Sequence, residues 1–179
     1  MKRIVPIKFS SARGFTLIEL VVVITLLSIL AVVALPRMTN SYDAAHDSTI
    51  TATGGALASA VILVRSQWVG NGTNGATDSV LGYGDDDIAT TSKGWPSDAQ
   101  AAGASKHEAN ISGDTARCIR LWRALLVASA PTVSANSDGS SDYWVALPTG
   151  TICNYTYALN AQSSRIEYNL QSGSVITLL

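Results

Sequence analysis

A single carboxylate set inside an otherwise unbroken apolar run constrains this chain more than any other feature. From Phe15 to Leu35, in FTLIELVVVITLLSILAVVAL, Glu19 is the sole ionisable side chain. The run is long enough for a helix to cross the ~30 Å hydrocarbon core of a bilayer. A charge placed there costs roughly 2.5–3.5 kcal/mol or more, so an acid in such a position usually marks function. Ahead of it lie Lys2, Arg3, Lys8 and Arg13 with no acidic residue, a bias that keeps the N-terminus on the cytoplasmic side and sends the rest across. A cleaved secretory signal would be followed by an Ala-x-Ala-like site. None follows Leu35, so the segment reads as a retained single-pass anchor.

The stretch RGFTLIELVVVITLLSILAVVALP, Arg13 to Pro36, combines Gly, Phe, an intramembrane Glu and a downstream Pro at fixed spacing. It resembles the N-terminus of type IV pilins and of the pseudopilins of type II secretion. The resemblance implies that a prepilin peptidase cuts between Gly14 and Phe15 and methylates the new Phe15 amine. It also implies assembly with other pilins through the N-terminal helix, by way of the inner membrane and the pilus assembly machinery, into an extracellular filament. The divisions expected on this basis are a leader over 1–14, a membrane-spanning and filament-core helix over 15–35, an amphipathic continuation over 36–69 and a globular head over 70–179.

Cleavage would place an ammonium at Phe15 in hydrocarbon, and Glu19 lies four residues on, one helical turn away on the same face. If subunits stack with a small axial offset, Glu19 of one neutralises the Phe15 ammonium of the next, and two costly groups become an assembly register. The alternatives are a protonated Glu19 that is merely tolerated, and one that pairs within its own chain.

The basic character of the chain resides in its leader. Removing the four leader cations from the twelve Lys and Arg leaves eight, against thirteen Asp and Glu. No phosphate-binding stripe remains, which argues against nucleic acid as a main partner. About 110 residues are left for one modest extracytoplasmic domain. Its two cysteines, Cys118 and Cys153, are an even pair facing an oxidising compartment, and a disulfide is the default reading. Closing a loop of about 35 residues would stabilise the fold by roughly 3–4 kcal/mol on the chain-entropy account.

Past Pro36, the residues Ile50, Leu57, Val61, Val64 and Trp68 recur at helical spacing, which predicts that the helix runs on to about Val69 with one face on the head. Pro36 and the Gly54-Gly55 pair are expected to bend or locally melt it. Val69 to Tyr83 reads as an exposed loop. Asp85, Asp86 and Asp87 follow as weak calcium candidates; calcium loops usually alternate their ligands, which favours a solvated acidic turn. Ser97 is expected to cap a short Ala-rich helix reaching about Ala104. A second helix is predicted from Asp114 to Ala128, with Cys118, Trp122 and Leu125 on its apolar face and Arg117, Arg120 and Arg123 solvated on the other. Pro131 to Asp142 reads as a loop. Four β-prone runs close the chain, Tyr143 to Leu147, Ile152 to Leu159, Arg165 to Leu170 and Ser174 to Leu178; a hairpin through Gln171-Ser172-Gly173 joins the last two, with Gly173 in the left-handed position.

The expected class is therefore α+β, with a long N-terminal helix packed on a four-stranded antiparallel sheet, and the resemblance implies the type IV pilin fold. More narrowly, GALASAVILVRSQW, the GWP turn, CIRLW and CNYTYALN with RIEYNLQSG are similar to pilins of the mannose-sensitive haemagglutinin (MSHA) type. No nucleophile triad, HExxH run, phosphate loop or metal-ligand cluster is found, so neither an enzyme nor a cofactor is expected. Asn71, Asn110 and Asn154 open Asn-x-Ser/Thr triplets that are surface sites at most. Trp68 and Trp122 fall on apolar faces and read as core, while Trp95 and Trp144 stay open as positions that could stack on surface glycans.

Overall fold

The computed structural model describes residues 14–99, 114–127, 130–146, 150–159 and 164–179. Residues 1–13 of the leader, the end of the expected Ala-rich helix, His107 and the Asn110 triplet lie outside them. The chain divides into two units, residues 1–42 and 43–179, and helix α1 (Leu17–Gly70) contributes to both.

In the first unit α1 is apolar all round, with every side chain from Phe15 to Leu35 exposed. The hydroxyls of Thr25 and Ser28 donate to the backbone carbonyls of Val22 (2.8 Å) and Ile24 (2.7 Å). Such back-bonding hides a polar group from hydrocarbon. Pro36 lies inside the helix without ending it.

In the second unit the predicted stripe is the buried one: Ile50, Leu57, Ala60, Val61 and Val64 are in the core, with Trp68 packed at its margin. Local melting at Gly54-Gly55 does not occur, because α1 is continuous there. The reason is a close approach: a Cβ at Gly54 would meet Thr177 Oγ1 at 2.1 Å. Gly54 lets the sheet come down onto the helix, and Gly55 on the outer side faces open space.

Strands β1 (Ile88–Thr90) and β2 (Pro96–Ala99) form an antiparallel pair. This corrects the expectation at Ser97, which stands in β2 and is buried, and does not cap a helix. Helix α2 (Thr115–Leu126) follows as predicted, its N-cap Asp114 accepting from Ala116 N at 2.9 Å. Cys118, Leu121, Trp122 and Leu125 are buried beneath it. Its arginines depart from the expected solvated face. Asp98 of β2, 4% exposed in its side chain, takes Arg120 Nε and Nη2 at 3.0 Å each, and Arg117 Nε lies 3.4 Å away. Arg123 is exposed. The buried carboxylate requires charged partners, and the helix face supplies two.

The main sheet has five strands in the order β3-β4-β5-β6-β7, one more than expected. Tyr143–Ala146, Ile152–Tyr157, Arg165–Asn169 and Val175–Leu178 form β4 to β7, the predicted antiparallel meander. The added strand, β3 (Val133–Ser134), lies inside the segment read as loop and pairs parallel to β4. It is pinned by Thr132, whose backbone N and hydroxyl both donate to Asp142 Oδ2 at 2.8 and 2.7 Å. Alternation sends Tyr143, Val145, Cys153, Tyr155, Tyr157, Ile166 and Tyr168 into the core. Trp122 sits between Tyr143 and Tyr155 with ring centroids 4.9 and 4.5 Å away. The Cys118–Cys153 disulfide ties α2 to β5 across a Cα separation of 5.7 Å. Gly173 adopts the left-handed conformation expected of it (φ 70°).

Two mutational expectations follow from the helix face. Gly54→Leu should destabilise the head by roughly 2–3 kcal/mol by forcing a side chain into β6 and β7, whereas Gly55→Ala should stabilise it by about 0.5–1 kcal/mol through helix propensity. Thermal unfolding followed by circular dichroism would read both signs.

The buried phenols set an alkaline limit. Tyr155 donates to Cys118 O at 2.9 Å and Tyr168 to Pro96 O at 2.6 Å. Burial pushes both hydroxyls well above the ordinary value of 10.0. Because the folded pKa is the higher one, this stabilisation is intact below a pH of about 10 and is lost as the pH rises beyond it. The tyrosinate absorbance of these two residues should therefore appear together with loss of the circular-dichroism signal, and its appearance in a still-folded head would contradict this account.

Candidate assembly site at the N-terminus of the long helix

The chain from Gly14 to Thr16 carries no regular secondary structure, and α1 opens at Leu17. Thr16 is the N-cap and Glu19 the third helical residue. Thr16 N donates to Glu19 Oε2 at 3.0 Å, Thr16 Oγ1–H donates to the same oxygen at 2.8 Å, and Glu19 N donates back to Thr16 Oγ1 at 3.3 Å. This is a capping box, in which two otherwise orphaned helix donors are satisfied reciprocally. The charge also lies at the positive end of the helix dipole. In a single chain, then, Glu19 is held by its own first turn, and its second oxygen, Oε1, takes no hydrogen bond from the described residues. Thr-x-x-Glu ahead of an apolar run is a readable N-terminal signature, and Thr16 is the within-chain partner that the sequence reading allowed for Glu19 without naming it.

Phe15, where the new amine is expected, is 80% exposed, and Gly14 beside it has nothing near its missing side chain. The leader cations fall outside the described residues. Downstream, no ionisable group appears until Arg37. The site is therefore one carboxylate with one open oxygen, at the head of an apolar helix that none of the described residues covers.

The other candidates are placed as follows. Cys118 and Cys153 are joined. Asp86, at φ 57°, turns its carboxylate back to accept from Gly82 N at 2.6 Å and so closes its own loop. Among the described residues, no three His, Cys, Asp or Glu side chains gather as a metal site would need, so Asp85, Asp86 and Asp87 are not brought together as ligands. Trp68 and Trp122 donate through Nε1 to Gly75 O and Pro131 O. Trp95 has Arg65 over one face, 4.3 Å from the ring centroid, and Gly173 so close that a Cβ there would reach the ring at 2.1 Å. The ring thus links α1 to the β6–β7 hairpin, and it stays partly exposed, lining a hollow of about 300 Å³ with Ile62, Arg65, Ser66 and Val69. Trp144 alternates away from buried Tyr143 and Val145, is only partly covered, and borders a shallow hollow of about 360 Å³ with Asn136, Ser137 and Asp138.

Residues 9–35, the segment that carries Glu19, match the family model described as the prokaryotic N-terminal methylation motif. The chain is also similar to a type IV pilin. It is 41% identical over 56 residues to the major component PilA5 of the type IV narrow pilus of Thermus thermophilus, an alignment covering 31% of this chain and 48% of that protein. The chain thus matches about half the length of that relative. No solved structure matched.

Proposed function

We propose that this chain is a structural subunit of a type IV pilus of the MSHA-like kind, anchored N-in in the inner membrane, cut between Gly14 and Phe15, methylated on the new amine and assembled through its N-terminal helix. Its work is assembly and not catalysis. The observation that carries this reading is the pairing of an uncovered apolar helix, bearing the methylation motif, with a Glu19 carboxylate that keeps one oxygen open. In a stack of such helices the open oxygen meets the Phe15 ammonium of a neighbour. Both charges then leave lipid as a pair, and the stagger between subunits is fixed.

Glu19→Ala is expected to leave the head folded and the leader cleaved while lowering surface filament at least tenfold, the scale of losing a partner for a charge in hydrocarbon. Mass spectrometry of sheared surface material, with electron microscopy and immunolabelling, would read both. Abundant normal filaments from the mutant would defeat the proposal, and labelled chain confined to short periplasmic fibres would assign it to a type II secretion pseudopilus.

Surface attachment is supported by Trp144, whose partly exposed indole beside Asn136 and Asp138 offers the stacking plate and polar rim that neutral sugars need. Trp144→Ala in intact filaments should lower retention on a glycan-coated surface without changing filament number. Equal retention would remove the adhesive role.

A further inference from the structure

We propose that the head carries a second site, near the C-terminal end of α1, that binds a carboxylated sugar residue through Arg65 and Lys93. Arg65 stands on the exposed side of α1 with its guanidinium over the Trp95 ring, Cζ lying 4.3 Å from the centroid. Its Nε donates to Lys93 O at 3.3 Å. The cation is thus held by a ring on one face and a carbonyl at one edge. Both Nη groups, which form an edge that meets a carboxylate with two parallel bonds, take no partner among the described residues. The turn that presents Lys93 and Trp95 is itself tied down. Thr91 N donates to Trp95 O and Gly94 N to Thr91 O at 2.9 Å each, and the Thr91 hydroxyl accepts from Trp95 N at 3.2 Å. Gly94 (φ 78°) packs on Trp68 and Gly173 on Trp95, so close-packed atoms back both the turn and the ring.

Charge selects the class of ligand. Outside the leader, acids outnumber bases, and Asp98 holds Arg117 and Arg120 while Glu167 holds Arg165. Arg65 and Lys93 have no acid at ion-pair distance among the described residues. Two neighbouring cations in an acid-rich head attract one anion, and they are too few to follow a phosphate backbone. Beside them lies the hollow of about 300 Å³ lined by Ile62, Arg65, Ser66, Val69 and Trp95, at the small end of the range for ligand sites. Ile62 and Val69 are exposed there and offer an apolar floor to the C–H face of a pyranose. The Ser66 hydroxyl donates to Ile62 O at 2.8 Å and keeps its lone pairs for a sugar hydroxyl. The hollow beside Trp144 has Asp138 and no cation in its lining, so the two hollows differ in charge. The Arg65 site uses no residue of the 15–35 segment, and it stands or falls separately from the pilus-subunit reading.

The test titrates oligogalacturonate, a uronate probe, into the purified full-length chain in detergent micelles, read by tryptophan fluorescence and calorimetry. Arg65→Gln should weaken binding roughly tenfold or more, the scale of a lost bidentate charge-assisted pair. Arg65→Lys should weaken it about fivefold, because an ammonium keeps the charge without the fork. Lys93→Gln should cost about threefold, as one exposed charge does. Arg123→Gln, which removes an exposed arginine of α2, should change nothing. The methyl-esterified probe keeps the sugar and loses the charge, and it should bind the unaltered chain no better than oligogalacturonate binds Arg65→Gln. No binding of oligogalacturonate, equal binding of the esterified probe, or unchanged binding by Arg65→Gln would each overturn the site. If Arg65→Gln melts early by circular dichroism, the esterified probe on the unaltered chain decides the matter alone. Tighter binding of polyglutamate or of single-stranded DNA would overturn the sugar assignment.

Discussion

A carboxylate in hydrocarbon has no water to turn to, so Glu19 has to take its hydrogen bonds from protein. The donors nearest to it stand at the start of its own helix, where Thr16 presents two of them, its backbone N–H and its hydroxyl, within 3.0 Å. The cost of the acid and the cost of the open helix end therefore offset one another locally. Only the second oxygen is left over, and its demand is directional: it calls for a cation at the level of the first turn, inside the apolar layer. Among the described residues no such cation stands near it, the next charge downstream being Arg37. That unmet demand separates this helix from a simple anchor, for which Leu or Val at position 19 would serve better.

The same helix serves two environments, and its residues are divided accordingly. From Ile50 onward one face is spent on the head, with Gly54 stripped of its side chain so that Thr177 and Ile166 can approach. The head core closes on that face with the Trp122, Tyr143 and Tyr155 rings and the Cys118–Cys153 bridge, and Arg65, Trp95 and Gly173 add a clamp at its far end. The side chains of 15–35 share in none of this, since all are exposed. An apolar surface of that extent has to be covered by lipid or by other helices.

Much of this was legible in the sequence, and the reasons are periodic ones. The α1 stripe repeats at helical spacing, β4 to β7 alternate at a period of two, and Asp114 announces α2, so local chemistry and tertiary demand agree there. Where they disagree, the reading failed. Pro96-Ser97-Asp98-Ala99 looks like a cap before an Ala-rich helix, but β1 and the arginines of α2, about twenty residues on, draw it into a strand around Asp98. The two residues of β3 have no pattern of their own and exist through pairing with β4 and the Thr132–Asp142 lock. At Gly54 propensity pointed to weakness, whereas the missing side chain is what the packing requires. Each miss is a tertiary partner overriding a local preference.

The assembly site was half legible for a related reason. Glu19 stands out by its cost, and that alone singled it out; Thr16 is unremarkable in a list of residues and acquires meaning only from its spacing to the acid. The two readings of Glu19 first set against each other, pairing within the chain and pairing between chains, draw on different atoms of one side chain. Oε2 is engaged internally, and in the proposed filament Oε1 is engaged externally. A bidentate group can satisfy both because its oxygens diverge, which Asn or Gln, with a single acceptor oxygen, cannot do while keeping the charge. The demand for a carboxylate at this position is then a demand for two acceptors and one negative charge together.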